Sequence, residues 1–225
     1  IRARSPSRGL VDVYKRQLRD SIHFIPFNAN EQWSGLHMTS ASDAKSITLS
    51  YFSIKNGGTG SWDDAALCIR DRRNSEAIHV SHGDISGSTE VAVFCAYNYY
   101  YNYSNNNDEN SQEWGSIEFS NLNIHHNDGR GFQLYYNNYA HVDLDSLHIH
   151  SNEYGFYMSS QYYPIEFNLT NSTIESNERD EIEFSYSNSS DPNVQVHFNH
   201  NTIRDTVNNS YYLVDLWGNG WDDDG

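Results

Sequence analysis

The sequence predicts an all-β solenoid: short strands stacked in parallel, about seven turns long with three strands in each turn. Three observations carry this. Six times an apolar residue is followed two positions later by another: Ile47/Leu49, Ile78/Val80, Ile117/Phe119, Val142/Leu144, Phe167/Leu169 and Val196/Phe198. Seven positions after each start stands an isoleucine, at Ile54, Ile85, Ile124, Ile149, Ile174 and Ile203. The starts are separated by 31, 39, 25, 25 and 29 residues, the length of a unit that buries its apolar face only against a copy of itself.

The elements follow in chain order. Residues 1–20 hold six of the fourteen basic residues and no apolar alternation, so they stand apart as a leader outside the solenoid. The stretch Arg4–Gln17 resembles a translated sequencing adapter, which makes the leader non-native; the other reading is a basic arm for nucleic acid. The solenoid is expected over residues 21–217, with Ile22–Phe24 and Trp33–Met38 as an early turn. The unit from Val142 shows the repeat most clearly. Val142 and Leu144 alternate with acids, the period of a half-buried strand. Leu147 and Ile149 alternate with His148 and His150 as a second strand. Ser151, Asn152 and Gly155 form a turn, and Phe156 and Met158 make the third strand. Ten residues after the starts, Asn127, Asn152 and Asn177 read as an amide ladder along one bend, where otherwise unpaired backbone groups need partners; the other reading is three turn-forming asparagines with no ladder. Residues 218–225 form an acidic Gly/Asp tail.

This pattern resembles the right-handed parallel β-helix of the pectate-lyase-like superfamily, from about Ile22 to Leu216. The resemblance implies the fold and says little about activity. Asp63-Asp64 and the Ser81–Ser88 stretch, with His82, look like the paired aspartates and His-Gly segment of polygalacturonases, which cleave glycosidic bonds with carboxylates. The upstream Asn-Thr-Asp and the Arg-x-Lys partner of those enzymes have no counterpart here. A lyase-type site would need an arginine base, for which Arg130 and Arg179 are the arginines to test.

Function is sought down the columns that stacking creates. His125, His148, His150 and Glu175 flank the isoleucine file, so they point outward as one patch, a solvated polar face or a set of metal ligands and acid–base groups. Tyrosines recur after the third strand: Tyr97, Tyr99, Tyr136, Tyr139, Tyr162 and Tyr186. Exposed rings offer flat apolar faces with polar rims to a glycan; otherwise they only cover the strand. The tail Asp222-Asp223-Asp224 resembles the opening of an extracellular calcium-binding repeat. No cofactor is required by any of these patterns, and calcium is the one they suggest. Cys68 and Cys95 lie in consecutive repeats, as a bridge or as two small buried hydrophobes.

Charge narrows the partners. The chain carries 30 acidic and 14 basic residues, a net of −16. Without residues 1–20 the balance is 28 to 8, a surface that repels nucleic acid and anionic membranes. No stretch has the length of a membrane span. The reading is an extracellular or cell-surface protein that binds a polysaccharide or cell-surface glycan without catalysis. The rival is a polysaccharide lyase or glycoside hydrolase of the same superfamily.

Overall fold

The computed structural model describes residues 21–28, 31–39, 46–59, 64–70, 77–96, 115–137, 140–159, 165–186, 194–205 and 212–218. These residues form strands and bends, with no helix among them. In order the strands are β1 (Ile22–Phe24), β2 (Leu36–Thr39), β3 (Ser46–Lys55), β4 (Leu67–Arg70), β5 (Ala77–Ser86) and β6 (Val93–Ala96). Then come β7 (Gly115–His125), β8 (Arg130–Tyr135), β9 (Ala140–Asp145), β10 (His148–His150) and β11 (Tyr154–Ser159). The series closes with β12 (Ile165–Thr170), β13 (Thr173–Glu175), β14 (Ile182–Tyr186), β15 (Val194–Asn199), β16 (Thr202–Arg204) and β17 (Val214–Gly218).

Each strand pairs in parallel with its counterpart one repeat away, and together they form a parallel β-solenoid. The isoleucine file is continuous: Phe24, Ile54, Ile85, Ile124, Ile149, Ile174 and Ile203 are successive partners in register. β-Branched side chains suit this interior because they are stiff at χ1 and pack against the same residue one rung away. The third face runs β2-β4-β6-β8-β11-β14-β17 and points Phe132, Phe156, Phe184 and their column mates inward. Phenylalanines from the first and third faces meet there: Phe119 and Phe132 pack edge-on at 4.8 Å, and Phe156 lies 5.2 Å from Phe167.

Two details differ from the sequence expectation. About five turns are stacked where seven were expected. An outermost turn packs on one side only, and β1 and β2 have no first-face strand beside them among the described residues. In addition, β3, β5 and β7 each run through two faces as one bent strand of 10 or 11 residues. The bend is a single left-handed residue, Tyr51, His82 or Asn121, at φ 56°, 56° and 54°. Gly83 lets this bend pack closely, since a Cβ there would lie 2.3 Å from the Phe52 ring. In later turns the same corner separates two strands. There the Leu147 amide donates to Ser172 Oγ and the Ser172 amide to Asn201 Oδ1, so side chains replace the backbone ladder for one rung.

The asparagine column is a ladder. Asn127 Nδ2 donates to Asn152 Oδ1 at 2.7 Å, and Asn152 Nδ2 to Asn177 Oδ1 at 3.0 Å. The same oxygens accept the backbone amides of Asn127 and Asn152, so each rung satisfies two donors at a buried corner. Glu181, 1% exposed, ends the ladder by accepting from both the amide and the Nδ2 of Asn177. Burial is the main reason its pKa is pushed up to about 7, against the hydrogen bonds from Asn177.

Cys68 and Cys95 are both buried and are not bridged to each other. Cys68 is in register with Phe94 and Cys95 with Ile69, so strand alternation sends the two thiols to opposite faces of the third sheet. Cys95 joins the interior. Cys68 belongs to a second buried cluster with Ala65, Val91, Phe94 and Ala96 on the sheet's outer side.

Candidate functional site

Inward positions are taken by the core, so chemistry is confined to the outer faces, and two groupings stand out. The first is on the second face. The three-residue strands β10 and β13 there alternate around the isoleucine file, which turns the flanking residues outward. His148 and His150 are in register with Asn123 and His125 below, and with Thr173 and Glu175 above. Asp84 Oδ1 lies 3.2 Å from His125 Nε2, and His148 Nε2 lies 3.1 Å from Glu175 Oε1. Arg204 pairs with Glu175 from the next turn. Hydrogen bonds from Arg204 and His148 hold the Glu175 carboxyl below its usual range. Burial, followed by the neighbouring His148, His125 and His126, lowers the His150 pKa to about 4. Asp84 and Glu175 thus bracket the imidazoles.

The second grouping is on the outer side of the third sheet, where β8, β11 and β14 place Gln133, Tyr157 and Glu183 in one outward column. The Arg130 guanidinium lies over the Tyr157 ring at 4.1 Å and over Tyr154 at 5.5 Å. Arg179 covers Tyr154 as well, at 5.1 Å, and bonds its hydroxyl. Glu153 pairs with Arg179 at 3.0 Å. Arg130 Nε is buried without a hydrogen-bond partner, while its Nη1 reaches Gln133 Oε1 at 3.4 Å. Burial raises the Glu183 pKa, with Arg130 opposing and Asp180 and Asp215 reinforcing the shift. Two rings held flat by two guanidiniums, beside carboxylates and an amide, can stack on a sugar ring and bond its hydroxyls.

The residues named from sequence distribute unevenly over these groupings. His125, His150 and Glu175 belong to the first. The His125 and His150 rings stack 5.2 Å apart and 5° from parallel, so their lone pairs do not converge. Among the described residues no three His, Cys, Asp or Glu side chains converge as a metal site requires. Asp64 precedes β4, whereas His82 sits at the corner between the first two faces and stacks on Tyr51 at 4.7 Å. They occupy different corners, and His82 is the counterpart of Tyr51 one turn on. Tyr136 is a left-handed residue at φ 52°, with its ring edge-on to Tyr135 at 4.5 Å. Tyr186 ends β14. Asp63, Tyr97, Tyr99, Tyr139, Tyr162, Asp222, Asp223 and Asp224 lie outside the described residues.

Tyr154 and Tyr157 were missed by the sequence reading. Their signal was present: Gly155-Phe156-Tyr157-Met158 alternates inward and outward, which sends Tyr157 to the surface.

No protein-family profile, curated protein or solved structure matches this chain.

Proposed function

We propose that this chain is an extracellular or cell-surface β-helix protein, kin to the pectate-lyase-like repeats, that binds a glycan without catalysis. The observation that carries this reading is the Tyr154–Tyr157 platform held between Arg130 and Arg179. Ring stacking on guanidinium fixes the aromatic faces before a ligand arrives, which limits the side-chain entropy lost on binding. The sugar's C–H face lies on the half-buried Tyr157 ring, and its hydroxyls take the half-buried Glu183 as a partner. The net charge of −16 favours hydroxyl-rich ligands over polyanions.

Titration with neutral and acidic polysaccharides, paired with an assay for new reducing or unsaturated ends, tests this. Saturable binding without new ends is expected, weakened tenfold or more by Tyr157→Ala. Binding that ignores Tyr157→Ala removes the platform. The rival enzyme reading draws on one observation: burial raises the Glu183 pKa, so this carboxyl holds its proton to a higher pH than a free one, as a general acid does. Turnover abolished by Glu183→Gln would put the rival in its place.

A further inference from the structure

The corner between the first and second faces carries one column of left-handed residues: Tyr51, His82, Asn121, Ser146, Asn171 and His200, at φ between 50° and 56°. Asparagine enters this conformation more easily than most side chains, because its short amide finds local hydrogen bonds there. Of the two asparagines in the column, only Asn171 has a hydroxyl residue two positions on. Asn171-Ser172-Thr173 is an acceptor motif for N-linked glycosylation, and Asn121-Leu122-Asn123 is not. A second copy of the motif, Asn168-Leu169-Thr170, lies just upstream. The motifs at Asn102, Asn188 and Asn208 lie outside the described residues.

The structure separates Asn171 from Asn168. Asn171 is exposed, at the bend between β12 and β13. Its Nδ2 donates to Asp145 Oδ1 at 2.7 Å, and its backbone amide donates to the Asn199 carbonyl at 3.1 Å. A carboxamide nitrogen carries two hydrogens, so one can be replaced while the other keeps the bond to Asp145. Thr173 opens β13 and is outward and half-buried, one position before the buried Ile174. Asn168, by contrast, is half-buried in the middle of β12. Asp143 and His197 flank it in register, each about 4.8 Å away along the ladder, so a bulky substituent is crowded on both sides.

We propose that Asn171 is an N-glycosylation site, modified by an oligosaccharyltransferase that draws on a lipid diphosphate-linked oligosaccharide. The bond from Asn171 Nδ2 to the sugar's anomeric carbon forms as that carbon's bond to the diphosphate oxygen breaks. The lipid diphosphate leaves with the electron pair, and the Nδ2 proton passes to a base of the transferase. Such transferases meet chains bound for the exterior, so this site rests on the extracellular reading. The glycan stands at the corner of the first two faces, whereas the Tyr157 platform is on the third, so the platform stays open. A bulky, solubilising group at this corner covers part of the polar outer surface.

The full chain, placed behind a cleavable secretion signal and made in insect cells, tests this. Releasing the glycans with a peptide amidase in heavy-oxygen water turns each occupied asparagine into a labelled aspartate, which fragment-ion spectra locate. Label is expected at Asn171 and not at Asn168. Thr173→Ala, which keeps the asparagine, should abolish the label, as should Asn171→Gln, while Asn168→Gln should leave it unchanged. The unmodified chain gives a decisive reading even where a variant fails to fold. A secreted chain unlabelled at Asn171, or labelled at Asn168 in its place, overturns the site. A chain labelled at Asn171 that never reaches the medium keeps the site and counts against the extracellular reading.

Discussion

The middle turns and the last turn carry the same sequence pattern with different physical consequences. Leu144 and Leu169 are fully buried, while Phe198, one rung further along the same column, is 43% exposed. Val196 and Ile203 are only partly buried, although their counterparts Phe167 and Ile174 are fully so. An inward side chain in a solenoid is shielded by the rung below and the rung above. Strand direction alone supplies neither shield, so burial belongs to the stack and not to the single repeat.

This contrast ranks the expected effects of substitution. Phe156→Ala empties a site between Phe132, Phe167 and Phe184 and should cost about 3–5 kcal/mol, read as a large fall in the urea midpoint. An equally small effect of Phe156→Ala and Phe198→Ala would break the comparison. Asn152→Ala comes next. It removes the acceptor of the Asn127 amide and Nδ2 and should cost about 1–3 kcal/mol, with faster hydrogen exchange at Asn127. Asn201, the partly buried donor to Leu169 carbonyl in the last turn, should matter less when changed to alanine. Of similar size is the pH effect at the border between the two regions, where Glu181 ends the ladder. Its folded pKa of about 7 lies above the ordinary 4.5, so the folded state binds the extra proton between those values. Its contribution to stability is therefore complete below pH 4.5 and lost as pH rises to about 7. Glu181→Gln should flatten that part of the urea midpoint–pH profile. Phe198→Ala should change stability least, by about 1 kcal/mol or less, because its ring is already in part solvated.

Much of the fold was legible because alternation and repeat spacing are local. Ile149 is bounded by His148 and His150, and that triplet fixes which side chain points inward before any partner is known. The asparagine ladder was half legible: three asparagines recur at one bend, either as a ladder or as three separate turn-formers, and their amide contacts make it a ladder. The merging of two strands in β3, β5 and β7 was not legible, because it depends on whether Ser172 or a backbone carbonyl meets the amide across the corner. The candidate site was read in part. The imidazole column followed from its offset, but the short contact between His125 and His126 did not, since His126 lies on the bend and turns back through a φ of 53°.

By itself the sequence determined the coil, its register and the division of each strand into inner and outer residues. The physical cause is the two-residue period of an extended chain, repeated at a length that lets one unit cover the next. The tertiary structure alone decided which outer residues meet. Arg130 and Arg179 are 49 positions apart, yet both cover Tyr154. Their meeting depends on the reach of long side chains across rungs that only the stacked ladder brings together.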